Sequence, residues 1–219
     1  MRYFSLLAFL FVTSACHADL VYNNALSSGT ATISNNNSRG QTFTTGSSAA
    51  QMVSVTVYLK NTGGAEGTVK IDIKNITGTP GTNAVPVSGS GSVDATSATI
   101  NAGDISNTSV TAYTFNNFTG SNVTLAADTS YGFTVNMSGI TKGSLTLYYG
   151  SPITEQNSYS VSNSTFTADI GIDLAGQVDV TAVPEPGTFV LSGFALAAGA
   201  ICVWIKRRRH GEAGFAMNA

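Results

Sequence analysis

Apolar residues recur at every second position over much of this chain. Met52-Val53-Ser54-Val55-Thr56-Val57-Tyr58-Leu59 puts Val53, Val55, Val57 and Leu59 on one face of an extended segment, the period of a half-buried strand. Val69, Ile71 and Ile73 repeat it, as do Tyr113 with Phe115, Tyr131 with Phe133 and Val135, and Leu145 with Leu147 and Tyr149. A last segment shows Ile170, Ile172 and Leu174, then Val178 and Val180 after Gly176. Turn-forming clusters separate the runs: Asn61-Thr62-Gly63-Gly64, Gly78-Thr79-Pro80-Gly81, Ser138-Gly139 and Gly150-Ser151-Pro152. Short strands, frequent turns and no helical stripe predict an all-β fold, an antiparallel β-sandwich of jelly-roll-like form, with a barrel as the alternative. Ser27 to Asn37 and Val87 to Asn107 are rich in small polar residues. Neither stretch specifies a register, so neither is assigned.

The two ends break this pattern. Arg2 precedes an apolar stretch from Tyr3 to Val12, and Cys16-His17-Ala18 supplies small residues for a cut after Ala18. About ten residues cannot span a bilayer, so residues 1–18 are expected to be a removable export signal. A lipoprotein signal cut before Cys16 is the alternative. At the other end, residues 187–205 carry no charge and Lys206, Arg207, Arg208 and Arg209 follow at once. A helix of that length covers about 28 Å, close to the roughly 30 Å of a hydrocarbon core. The basic run would hold its far end in the cytoplasm. The expected organisation is therefore a signal at 1–18, an exported β domain at 19–182, and a sorting and anchor segment at 183–209. The anchor contains one transmembrane helix at about 187–205, and a cytoplasmic tail follows at 210–219.

Charge and composition narrow the chemistry. Between Asp19 and Val183 the chain has five Lys and Arg against ten Asp and Glu, a net charge of −5. Scattered cations on an acidic domain offer no footprint for nucleic acid. The cysteines are Cys16 and Cys202 and the histidines are His17 and His210, all outside the β domain. No intradomain disulfide, Ser-His-Asp arrangement or common zinc site can be built from 19–182. No cofactor is expected.

Val183-Pro184-Glu185-Pro186-Gly187, the apolar run and the basic cluster together resemble the PEP-CTERM sorting domain of Gram-negative envelope proteins, with Pro184, Glu185 and Pro186 at the signature position. The resemblance implies processing by an exosortase, transient residence in the inner membrane, and delivery to the cell surface or an exopolysaccharide matrix. The chain departs from that pattern in continuing from His210 to Ala219. Two prolines fix φ near −65° and remove backbone donors, so the motif suits an enzyme that takes its substrate extended. A plain anchor that is never processed is the alternative. The β domain is similar to the choice-of-anchor R family through Leu20-Val21-Tyr22-Asn23-Asn24, Gly40-Gln41-Thr42-Phe43-Thr44 and Leu125-Ala126-Ala127-Asp128-Thr129-Ser130-Tyr131. That likeness implies a β-sandwich and brings no catalytic residue.

Two classes of function follow. The first is a non-enzymatic surface or matrix protein associated with polysaccharide. Tyr58, Tyr148 and Tyr159 are its candidate sugar platforms, and Tyr148 is preferred because Leu147 and Tyr149 point the other way; packing is the commoner role of a strand aromatic. The second is a carbohydrate-active enzyme using paired carboxylates, for which Asp169 and Asp173 share a face of a regular strand. Separately, a calcium ion bracing the C-terminal strands would draw on Asp169, Asp173 and Asp179. Seven Asn-x-Ser/Thr sequons occur, including Asn36, Asn136 and Asn163; in so polar a chain many arise from composition alone.

Overall fold

Alternating Val, Ile, Leu and aromatic residues give the chain two antiparallel sheets of eight strands each, facing one another across a shared core. A computed structural model describes residues 18–87, 93–120 and 123–183. The expected signal, the Pro184–Glu185–Pro186 motif, the transmembrane helix at 187–205 and the Lys206–Arg209 run lie outside the described residues. Among those described, no helix is long and apolar enough to cross a membrane.

The first sheet contains β1 (Ala18–Asn24), β2 (Leu26–Ile33), β4 (Ala50–Lys60), β9 (Thr111–Phe115), β10 (Thr124–Leu125), β12 (Leu145–Gly150), β15 (Asp173–Leu174) and β16 (Gly176–Ala182). The second contains β3 (Asn37–Thr44), β5 (Glu66–Thr77), β6 (Val85–Pro86), β7 (Val93–Thr96), β8 (Ile100–Asn101), β11 (Ser130–Lys142), β13 (Ser158–Ser162) and β14 (Thr165–Asp169). A 3-10 turn at Ala102–Asp104 follows β8. β4 is paired along both edges: β9 and β10 on one, β16 and then β12 on the other. β1 runs beside β16, and β2 beside β12. The sheets are nearly barrel-like, and the first and last strands pair with each other.

Val55, Val57 and Leu59 of β4 face Val69, Ile71 and Ile73 of β5 and Phe133 and Val135 of β11 within one buried cluster. Tyr22 of the first sheet meets Phe133 of the second edge-to-face, ring centroids 6.2 Å apart. The stretches that the sequence leaves unassigned contain strands. Ser27 to Asn37 forms most of β2 and leads into β3 through reciprocal Ser34–Asn37 backbone hydrogen bonds of 2.7 and 3.0 Å. Val87 to Asn107 supplies β7 and β8, whose inward residues are as small as Ala95.

Two segments depart from the alternation read in the sequence. In β4, Val180 pairs with Met52 and Asp179 with Ser54, so Val53 is an extra residue opposite the β16 ladder. This bulge turns Met52 inward, at 5% exposure, and leaves Val53 outward at 40%, the reverse of a strict period of two. The run from Ile170 to Leu174 is not a continuous strand. The chain crosses from the second sheet to the first there, with Gly171 at φ 75°, so Ile170 and Ile172 are exposed and Leu174 alone of the three is buried.

The bulge separates two valines that the sequence treats alike. Val55→Thr, which buries a hydroxyl in place of a methyl, should lower stability by about 1–3 kcal/mol. Val53→Thr should stay within about 0.5 kcal/mol. Urea unfolding of both variants checks this, and equal losses would mean that Val53 belongs to the core.

Candidate functional site

The outward face of the second sheet is where side-chain alternation leaves polar groups together. Register places Tyr159 opposite Gly40, Val161 opposite Ser38 and Phe166, and Thr134 opposite both Gly40 and Asp72. These residues turn away from the core that Phe43, Phe133 and Ile73 enter. Tyr159 is nevertheless fully buried. Its ring occupies space left by two glycines: a Cβ on Gly40 would stand 2.2 Å from Tyr159 Cζ, and one on Gly132 would stand 2.8 Å from the phenol oxygen. The hydroxyl donates to Phe133 O at 2.8 Å and lies 3.0 Å from Thr134 Oγ1. Burial raises the phenol pKa far above its ordinary value, so the group stays neutral. Its ring meets Phe166 edge-to-face at 6.1 Å. Of the three tyrosines proposed from the sequence as exposed platforms, Tyr159 is therefore a packing residue beneath the surface.

Beside this small outer cluster runs a groove with a cavity volume of about 560 Å³. Ser38, Asp72, Thr134 and Asn136 form its floor, while Asn35, Asn36, Asn163 and Ser164 rise from two hairpin tips. A second depression of about 410 Å³, bordered by Val85, Pro86 and Val87, shares Ser164 and Phe166 with the first. Phe166 thus stands where the two meet. Lys74 Nζ lies 5.8 Å from the centre of the Phe166 ring. Yet β5 and β14 are separated by β11, β3 and β13, which in a flat sheet would put the two strands about 19 Å apart. Long side chains cover part of that distance, and curvature of the face brings the rest.

The charges in the groove differ in how far they are already satisfied. Asp72 is 4% exposed. Its carboxylate accepts hydrogen bonds from Thr96 Oγ1 and Asn136 Nδ2, and Lys70 Nζ is 3.5 Å away. Lys74, by contrast, forms no ion pair among the described residues. The arrangement offers amides and hydroxyls in number, one aromatic ring and one uncommitted cation.

The residues singled out in the sequence lie elsewhere. Tyr148 is half-buried on the outward side of β12, opposite Thr30 in the first sheet. Asp169 is ion-paired with Arg39. Asp179 accepts from Ser54 Oγ at 2.8 Å and Gln177 Nε2 at 2.7 Å. Asp173 is 1% exposed, accepting from Gln41 Nε2 at 2.6 Å and from the Ile153 N–H at 2.5 Å. The calcium set Asp169, Asp173 and Asp179 is not assembled: each has its own partners, and no cluster of three metal-ligating His, Cys, Asp or Glu occurs among the described residues. Asp169 and Asp173 do not share a strand face either, since the turn at Gly171 lies between them and Asp173 is sealed from substrate. The groove residues Lys74 and Phe166 escape sequence reasoning because nothing local distinguishes them; Asn36, Asn136 and Asn163 register only as sequons.

Residues 182–209 match the PEP-CTERM protein-sorting motif. No curated protein matches the chain.

Burial pushes the Asp173 carboxyl above its ordinary value, against the opposing pull of the Ile153 and Gln41 hydrogen bonds. Between 3.8 and the raised folded value, the folded chain keeps a proton that the unfolded chain has lost. This group's contribution to stability therefore falls as pH rises through that window and improves as pH falls. Asp173→Asn removes the titration and turns an N–H toward one of the two donors, so it should cost about 1–3 kcal/mol at pH 7. The gap between wild type and variant should widen from pH 7 to pH 4.5 in urea unfolding. A gap that narrows would mean that hydrogen bonding outweighs burial.

Proposed function

We propose that this is an exported, non-enzymatic surface or matrix protein of a Gram-negative envelope, sorted through its C-terminus and associated with polysaccharide through the groove of the second sheet. The observation that carries the reading is the PEP-CTERM motif at 182–209, which implies an exported protein that is held in the membrane and then cleaved, with an exosortase as partner. In this reading residues 1–18 are the signal peptide, 187–205 the transmembrane helix, and Lys206 to Arg209 the cytoplasmic stop. The exported domain is a jelly-roll-like sandwich of the choice-of-anchor R kind. Cutting after Ala18 would leave Asp19 already within β1, so export would remove almost nothing from the β1–β16 ladder.

Sorting and fold meet without a spacer. The Val183 N–H donates to Ala49 O at 2.8 Å, one residue past the end of β16. Pro184 follows, and it has no N–H with which to extend the ladder. The sequence thus ends the sheet where the Pro-Glu-Pro triplet begins.

Polysaccharide association is supported by the groove's amides, hydroxyls and aromatic ring, groups that suit sugar hydroxyls and apolar sugar faces. We prefer the non-enzymatic reading over paired-carboxylate catalysis because Asp169 and Asp173 are both engaged in structural contacts.

Mass spectrometry of the mature protein from its native host tests the sorting. The wild type should lack the peptide Phe189–Trp204, whereas the triple variant Pro184→Ala, Glu185→Ala, Pro186→Ala should retain it and stay in the membrane fraction. Mature wild-type protein that still carries the peptide would overturn the reading in favour of a permanent anchor.

A further inference from the structure

We propose that the groove takes an acidic polysaccharide of low charge density, with one carboxylate seated against Lys74. The inference rests on the polysaccharide reading of the groove and adds the ligand's chemical class and the residue that selects it.

The first support is shape. Two depressions of about 560 and 410 Å³ meet at Phe166 and Ser164. Each is within the range of roughly 300–1,000 Å³ typical of ligand sites, and their junction makes a path rather than a closed pocket. A path with two open lobes fits a chain that enters and leaves.

The second is charge. Asp72 faces the groove, but its carboxylate is met by Thr96, Asn136 and Lys70 and is almost wholly enclosed. Among the described residues, the ammonium of Lys74 is held only by the Phe166 ring. A cation over a ring at a partly exposed site gains enough to bias its position while leaving its charge available. Phe166 acts as a positioning residue that keeps the ammonium at the junction of the lobes. A ligand carboxylate there would form a charge-assisted hydrogen bond, about twice as strong as a neutral one.

The third is the ratio of charge to neutral polar groups. Asn35, Asn36, Asn136, Asn163 and Ser164 line the groove with Lys74, the one cation there without an ion pair among the described residues. A phosphate chain carries a charge on every unit and would call for a row of Lys and Arg. The domain's net charge of −5 also repels a dense polyanion at low salt. An acid on every second sugar, with hydroxyls between, matches one cation among many amides.

The test uses full-length protein purified in a mild detergent and immobilised hyaluronan or unsulfated chondroitin, each beside its own carboxyl-reduced form. Expected are retention on the acidic polymers, binding at least tenfold weaker to the reduced forms, and only a shallow dependence on salt. Lys74→Met should abolish the difference and Lys74→Arg should keep it. Lys142→Met, at an exposed pair with Glu66, should change nothing, and unchanged unfolding transitions would show that each variant is folded. Equal binding to acidic and reduced forms, or an unaffected Lys74→Met, would overturn this inference while leaving the polysaccharide reading standing. Failure to bind any of the four polymers would remove both. Single-stranded DNA bound as tightly as the acidic polymers would also overturn it, assigning the groove to phosphate chains.

Discussion

At one end the two sheets are joined through a buried amide. Gln41 is fully enclosed, with its Nε2 donating to Asp173 Oδ1 at 2.6 Å and its Oε1 accepting from the Leu174 N–H at 2.9 Å. Gln41 belongs to β3 of the second sheet, and Asp173 and Leu174 to β15 of the first. Tyr22 of β1 adds a hydrogen bond to the Leu174 carbonyl. With no cysteine available between residues 19 and 182, this network fixes chemically what a disulfide fixes covalently in other small exported domains. Its cost is a buried carboxylate, which is tolerable only because both its oxygens accept hydrogen bonds. Because β3 also carries Ser38 and Gly40 on its opposite side, the same strand that closes the core supplies part of the groove floor.

Legibility from the sequence follows from how local each determinant is. Val69, Ile71 and Ile73 are read correctly because inward and outward residues alternate without interruption along that part of β5. Val53 is misread because a bulge is created by the partner strand, and nothing in Met52-Val53-Ser54 announces it. Ile170 and Ile172 mislead for a related reason: their spacing is strand-like, but Gly171 takes a left-handed backbone that no apolar count reveals. β2 and β7 are hard to read because, Ile33 apart, their inward residues are small, so their burial depends on what faces them. Tyr148 stands out in the sequence through its alternation, whereas the groove is lined by Phe166 and Lys74, which lie on β14 and β5 and meet only through the curvature of a sheet.

The groove exists because the second sheet has a small second core on its outer side. Tyr159 can lie flat across β3 and β11 only where Gly40 and Gly132 lack side chains. Its buried hydroxyl is satisfied by Phe133 O and Thr134, so an aromatic with a polar tip is suited to the position in a way that Leu is not. Asn157 supports the far wall: buried at 1% exposure, it accepts from the Gly81 N–H at 3.1 Å and donates to Ala84 O at 2.9 Å. It thereby fixes the loop that carries Val85 and Pro86 to the second lobe. The polar residues of the groove are thus mounted on strands and braced loops, a preformed surface on which the proposed binding would carry a low ordering cost.

Tether and groove belong to different sheets. The chain leaves the domain along β16, whose residues pair with Ala50–Val57 on one edge and with Ala18–Asn24 on the other. A pull applied at Pro184 along that strand loads both ladders in shear, so their hydrogen bonds resist together rather than opening one at a time. The groove looks outward from the second sheet, away from β16, and no residue of the terminal strand lines it. Under the proposed function, a load on the C-terminus would be carried by β1, β16 and β4, while contact with a polymer would be made by β3, β5, β11 and β14.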